Sequence, residues 1–102
     1  NSRFDLKGGL AVSVSKSVRI EDPSGLHIRP AQLFQEAASR FPCDIRVKTE
    51  DGRQADAKSA LGLMMLGLAQ GDSISIEADG EAAEEAVETL VSLIRGGFGD
   101  SS

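Results

Sequence analysis

The sequence predicts an α+β domain of two layers, a four-stranded antiparallel sheet with three helices on one face, in the order β-α-β-β-α-β-α. Three observations carry that expectation. Apolar residues alternate with polar ones around residues 14–20, 43–49 and 74–78, the period of half-buried strands. Between and after them the period changes to three or four, at residues 28–41 and 81–95, as in amphipathic helices. Finally, 102 residues suit one domain and are enough to bury a core without disulfide staples.

In the first strand Val14, Val18 and Ile20 alternate with serines and Arg19, and Lys16 stands oddly on the apolar side. Asp22-Pro23-Ser24-Gly25 is a turn cluster that ends it. A helix is expected from Ile28 to Phe41, with Pro30, Ala31, Phe34, Ala37, Ala38 and Phe41 inward, Arg40 in its last turn and Pro42 as its stop. Cys43, Ile45, Val47 and Thr49 form the inward side of a second strand. Asp51-Gly52 makes a hairpin turn into a weaker third strand holding Ala55 and Ala57.

Ser59 reads as the N-cap of a short helix over Ala60 to Leu68. Gly62 and Gly67 weaken that helix, each costing about 1 kcal/mol against Ala in an interior position. Leu61, Met64 and Met65 fall at helical spacing, with at least one expected in the core. Gly71-Asp72 turns the chain into a fourth strand carrying Ile74, Ile76 and Ala78. The last helix runs from Glu81 to about Arg95, with Ala83, Val87, Leu90 and Ile94 buried, acids at its start and Gly96-Gly97 at its end. Residues 1–12 are polar, contain Gly8-Gly9 and read as a flexible extension or linker. The domain proper is expected over 13–99, followed by a tail at 100–102.

Composition narrows the function. Eleven Lys and Arg against sixteen Asp and Glu leave a net charge of −5, and the excess is local: residues 77–102 hold seven acids and one base. No basic stripe exists, and the only aromatics are four Phe, so nucleic-acid binding is disfavoured. One cysteine, Cys43, excludes an internal disulfide and a multi-cysteine zinc site, and its alternating context reads as a buried thiol. No apolar run approaches the about 18 residues of a membrane span, and no secretory signal opens the sequence, so the cytoplasm is the simplest expectation. The chain begins at Asn1 rather than Met, as a processed chain or an excised domain would.

The single histidine is well placed for chemistry. His27 stands between the Pro23/Gly25 turn and the helix expected from Ile28, where unpaired amides and the positive end of the helix dipole meet. Such a site favours a neutral imidazole and stabilises a phosphoryl group placed on the ring. Arg29 adds a positive charge able to reach phosphate oxygens. Pro30 costs little in a first turn. No G-x-S-x-G motif, Walker loop or dinucleotide loop is present, and one histidine does not make a His-based metal site.

Gly25-Leu26-His27-Ile28-Arg29-Pro30-Ala31 resembles the active-site signature of HPr, the histidine phosphocarrier of the bacterial phosphotransferase system. Lys58-Ser59-Ala60-Leu61-Gly62-Leu63-Met64 is similar to the family's regulatory-serine segment, and the likeness extends over about residues 13–99. The resemblance implies an open-faced β-sandwich with sheet order 1-4-2-3. It further implies that His27 accepts a phosphoryl group on Nδ1 from phosphorylated enzyme I and passes it to IIA domains, steadied by Arg29. Ser59 matches a serine that HPr kinase/phosphorylase modifies in some bacteria, beside its plain reading as a helix cap. Ile28, Ala60, Leu61 and Met64 match the partner-docking rim, with Ile28 where Ala is usual. No cofactor or metal is implied, and a monomer that carries phosphate rather than turning over its own substrate is expected. Gly96-Gly97-Phe98-Gly99-Asp100 is similar to endings of nitrogen-branch carriers, so sugar and nitrogen branches both stay open. A regulatory module governed by Ser59, and a carrier domain cut from a fused protein, are the alternatives.

Overall fold

Seven elements follow in the expected order: β1 (Ser13–Arg19), α1 (Ile28–Ser39), β2 (Asp44–Thr49), β3 (Gln54–Asp56), α2 (Ala60–Met65), β4 (Ser73–Asp79) and α3 (Ala83–Arg95). The structure, a computed structural model, describes residues 13–23, 25–26 and 28–96. The extension at 1–12, Ser24, His27 and residues 97–102 lie outside the described residues.

The sheet runs β1-β4-β2-β3 with every neighbouring pair antiparallel. β4 therefore lies between β1 and β2, and β2 between β3 and β4, so each β-α-β crossover is split by a strand from elsewhere in the chain. Register gathers the apolar positions on one face. Val18 stands opposite Ile74, and Ala78 lies between Val14 and Ile45. Ile76 is flanked by Lys16 on one side and Val47 on the other. The expected lysine on the apolar side is thus real. It sits on the edge strand beside α3, where exposed Lys16 Nζ meets Glu88 Oε2 at 2.9 Å.

α3 crosses β1 and β4, while α1 packs beside α3 and α2. α3 buries Ala86 and Val91 besides the expected Ala83, Val87, Leu90 and Ile94, a stripe broader than the spacing indicated. α1 buries Pro30, Ala31, Phe34, Ala37 and Ala38. Each large apolar side chain so buried contributes about 1.5–3 kcal/mol. Phe34, Ile76 and Leu90 are fully enclosed, and the Cys43 thiol is buried as expected.

Several boundaries differ from expectation, each for a local reason. α1 stops at Ser39, so Arg40 lies past its last turn; Arg40 and Phe41 close instead with tight bonds to Ala37 and Ala38 carbonyls at 3.2 and 3.1 Å. Pro42 disfavours a helical Phe41, which explains the early stop. Only Ala55 of the expected pair lies within β3; Ala57 follows it, buried, with its N–H on the Ile45 carbonyl at 3.0 Å. α2 ends at Met65 rather than Leu68 because Gly67 takes the left-handed conformation, φ +64°. α3 begins at Ala83 rather than Glu81, since Ala82 is itself left-handed, φ +64°, and breaks the helical path.

Candidate functional site

The site is built around the amino end of α1. Its first helical residues, Ile28 and Arg29, are exposed, whereas Pro30 is buried. First-turn amides of a helix have no intrahelical partner, so Ile28 and Arg29 carry such donors and Pro30 carries none. Arg29 makes no ion pair with any other described residue. The approach to this end is tightly held. Gly25 N–H donates to the Asp22 carbonyl at 2.9 Å, and Leu26 N–H to the Leu68 carbonyl at 3.2 Å.

Gly25 does more than form the turn expected of it. Its φ is +70°, and a Cβ there would stand 2.2 Å from the Leu68 carbonyl oxygen and 2.9 Å from Ala69 Cα. Both conditions require glycine. The peptide preceding His27 is in this way laid against the segment that follows α2. The same segment is tied further to the end of β1: Ile20 N–H donates to the Asp72 carbonyl and Gly71 N–H to the Ile20 carbonyl, both at 2.8 Å. Gln70 Nε2 reaches the Glu21 carbonyl at 3.2 Å.

α2 is the second component. Ser59 is its N-cap, with extended backbone (φ −122°, ψ 108°) and its Oγ accepting from Gly62 N–H at 3.0 Å. Gly62, read above as a weakness, sits beneath that cap; a Cβ would come within 3.3 Å of Ser59 Oγ. Lys58 donates from Nζ to the Phe41 carbonyl at 2.8 Å, joining α2 to the end of α1. Arg53 Nη1 donates to the Leu66 carbonyl at 2.8 Å and so closes the other end of α2.

The apolar rim differs in one residue from the sequence reading. Ile28 is 56% exposed and Leu61 67%, but the third exposed large apolar side chain is Met65, at 74%. Met64 is half-buried against the core, Ala60 is half-buried, and the core position of α2 is taken by Leu63. None of Leu61, Met64 and Met65 is fully buried, contrary to expectation. The spacing of four between Leu61 and Met65 held the signal, since such a pair shares one helix face.

The sheet face away from the helices is charged. Arg46 Nη2 pairs with Asp79 at 2.6 Å and with Glu77 at 3.4 Å, and Lys48 with Glu77 at 3.3 Å. The Ser13 hydroxyl, then the Arg46 guanidinium, hold the Asp79 carboxyl below its usual range. At the β2–β3 turn the Thr49 hydroxyl, then Arg53, lower the Asp51 carboxyl to about 2.

Comparison with known proteins bears on this arrangement directly. The family model for the phosphorylation site of the HPr component of the phosphotransferase system (PTS) matches residues 14–96, a span that contains both His27 and Ser59. The chain belongs to the HPr family. It is 47% identical over 79 residues to the phosphocarrier protein HPr of Vibrio cholerae, covering 78% of this chain and 92% of that one. It is 33% identical over 87 residues to the phosphocarrier protein NPr of Escherichia coli K12, covering 85% and 97%. Among solved structures, that of HPr-C-His from Thermoanaerobacter tengcongensis superposes with a TM-score of 0.81 at 38% identity, over 87% of this chain and 99% of that one. The antiparallel sheet and the β-α-β-β-α-β-α order are those of HPr structures. Among the described residues, no helix is long and apolar enough to cross a membrane.

Proposed function

We propose that this chain is a phosphocarrier that takes a phosphoryl group onto His27 Nδ1 from phosphorylated enzyme I and delivers it to a IIA domain. The observation that carries this reading is the seating of Gly25 against Leu68, which leads the chain to the amino end of α1 immediately before His27. The imidazole reacts neutral, with its proton on Nε2. The Nδ1 lone pair attacks phosphorus, an N–P bond forms, and the bond from phosphorus to enzyme I breaks with its electron pair leaving on the donor. Delivery to IIA is the same exchange in reverse. Exposed Arg29 and the first-turn amides of α1 oppose the phosphoryl charge without a metal or cofactor.

Ile28, Leu61 and Met65 form the apolar part of the docking surface, flanked by the half-buried Ala60 and Met64. A small patch suits a carrier that must release each partner quickly. The carrier domain comprises residues 13–99, acts as a monomer in the cytoplasm, and has 1–12 as an extension and 100–102 as a tail. It has no turnover of its own.

The test is intact mass after incubation with phosphoenolpyruvate and enzyme I, since the chain has no Trp or Tyr for optical work. One acid-labile phosphoryl group, absent in His27→Ala, is expected. Running sugar-branch and nitrogen-branch enzyme I in parallel assigns the branch. A folded chain that takes no phosphoryl group from either would overturn the reading. The second reading, a regulatory module controlled by a kinase at Ser59, is favoured by the half-buried hydroxyl at the base of the exposed α2 surface. Unimpaired phosphotransfer by Ser59→Ala, with loss in His27→Ala, decides for the carrier.

A further inference from the structure

The β2–β3 turn has a part in the site that its distance in sequence conceals. Arg53 spends its guanidinium in two directions. Nε donates to both carboxylate oxygens of Asp51 at 3.1 Å, and Asp51 in turn accepts from the Thr49 hydroxyl. Nη1 donates to the Leu66 carbonyl at 2.8 Å, an orphan acceptor at the end of α2. Two residues further on, the Leu68 carbonyl accepts from Leu26 N–H, and the Gly25 backbone lies in contact with it. Leu66 and Leu68 are both buried, so the segment between them cannot shift without moving packed side chains.

We propose that Arg53 is a positioning residue for the Gly25–Leu26 segment that precedes His27 in the chain, a clamp oriented by Asp51 that holds the 66–68 stretch against which Gly25 and Leu26 rest. The proposal rests on the carrier reading only for its consequence in phosphotransfer; the mechanical coupling stands apart from it. An aspartate-oriented guanidinium presents a fixed donor at little conformational cost, which a solvated lysine would not. Arg53 and Asp51 are themselves surface side chains, 53% and 62% exposed, and their contacts with each other add little stability. Their effect is directional: the charged donor fixes where the Leu66 carbonyl points, and the two-residue path through left-handed Gly67 passes that constraint to Leu68.

Amide hydrogen exchange and phosphoryl-acceptance rates in Arg53→Gln test this. Loss of a charged donor to a half-buried carbonyl should raise exchange at Leu26 N–H about tenfold. Exchange at Ile76, in the middle of the sheet, should stay unchanged. The rate at which enzyme I phosphorylates His27 should fall severalfold, and the His27 ring should titrate at a shifted midpoint by NMR. Arg53→Lys, which keeps a charge near the carbonyl but not the fork that Asp51 orients, should recover only a minor part of each change. Unchanged Leu26 exchange in Arg53→Gln overturns the clamp. So does an equal rise at Ile76, which would mean general loosening, or faster Leu26 exchange with His27 reactivity and titration untouched. If the unaltered chain takes no phosphoryl group, the carrier reading fails, whereas Leu26 exchange and the His27 titration still decide the clamp.

Discussion

α3 and α2 are held to the same sheet-and-helix body by opposite means. α3 spans thirteen residues and buries six of them across β1 and β4. α2 spans six and buries only Leu63. What α2 lacks in buried area it makes up at its ends, through the Ser59 cap, the Lys58 link to Phe41 and the Arg53 link to Leu66. The contrast shows how a small domain keeps apolar side chains on its surface. Burial would fix α2 more firmly but would consume Leu61 and Met65, whereas polar fixation of the termini leaves that face free.

The largest expected effect breaks the packed half. Leu90→Ala should cost about 2–5 kcal/mol in urea unfolding followed by circular dichroism, because Leu90, on the buried side of α3, is fully enclosed. Gly25→Ala comes next. The left-handed conformation alone costs about 1–2 kcal/mol for a residue with a Cβ, and the Leu68 carbonyl must also move away. Its phosphoryl acceptance should fall more than its stability would explain, measured by mass spectrometry at a temperature where the variant stays folded.

Ser59→Ala should cost about 1 kcal/mol, with faster exchange at the Gly62 amide and little change at Leu90. A loss shared equally by both helices would show that the two halves are not independently held. The smallest effect belongs to the open face of the sheet. Asp79 has a depressed carboxyl, so its contribution to stability is present above the ordinary carboxylate value of 3.8 and is lost as pH falls through the lower folded value. Acid unfolding should therefore be shallower below pH 3.8 in Asp79→Asn than in the unaltered chain, while above that pH the variant is slightly the less stable. Because Asp79 is partly solvated, the difference should shrink in salt.

Local periodicity by itself determined much of this molecule. Alternation placed Val18, Ile45, Val47, Ile74 and Ile76 on one face of the strands, helical spacing placed Phe34 and Leu90 in the core, and the residue type at position 59 named its own cap. The Gly25–Ala31 motif likewise put His27 before the first turn of a helix that does begin at Ile28. These are properties of neighbouring residues, and backbone geometry converts them to structure within a turn or two. The helix ends at residues 65 and 83 escaped the pattern, because Gly67 and Ala82 adopt left-handed conformations that apolar spacing does not register. The contacts that build the site were beyond reach for a different reason. Gly25 against Leu68, Lys58 on Phe41 and Arg53 on Leu66 join positions far apart in the chain through backbone carbonyls, which every residue carries alike. A carbonyl has no letter in the sequence, so only the tertiary structure could decide which of them these side chains and this glycine would meet.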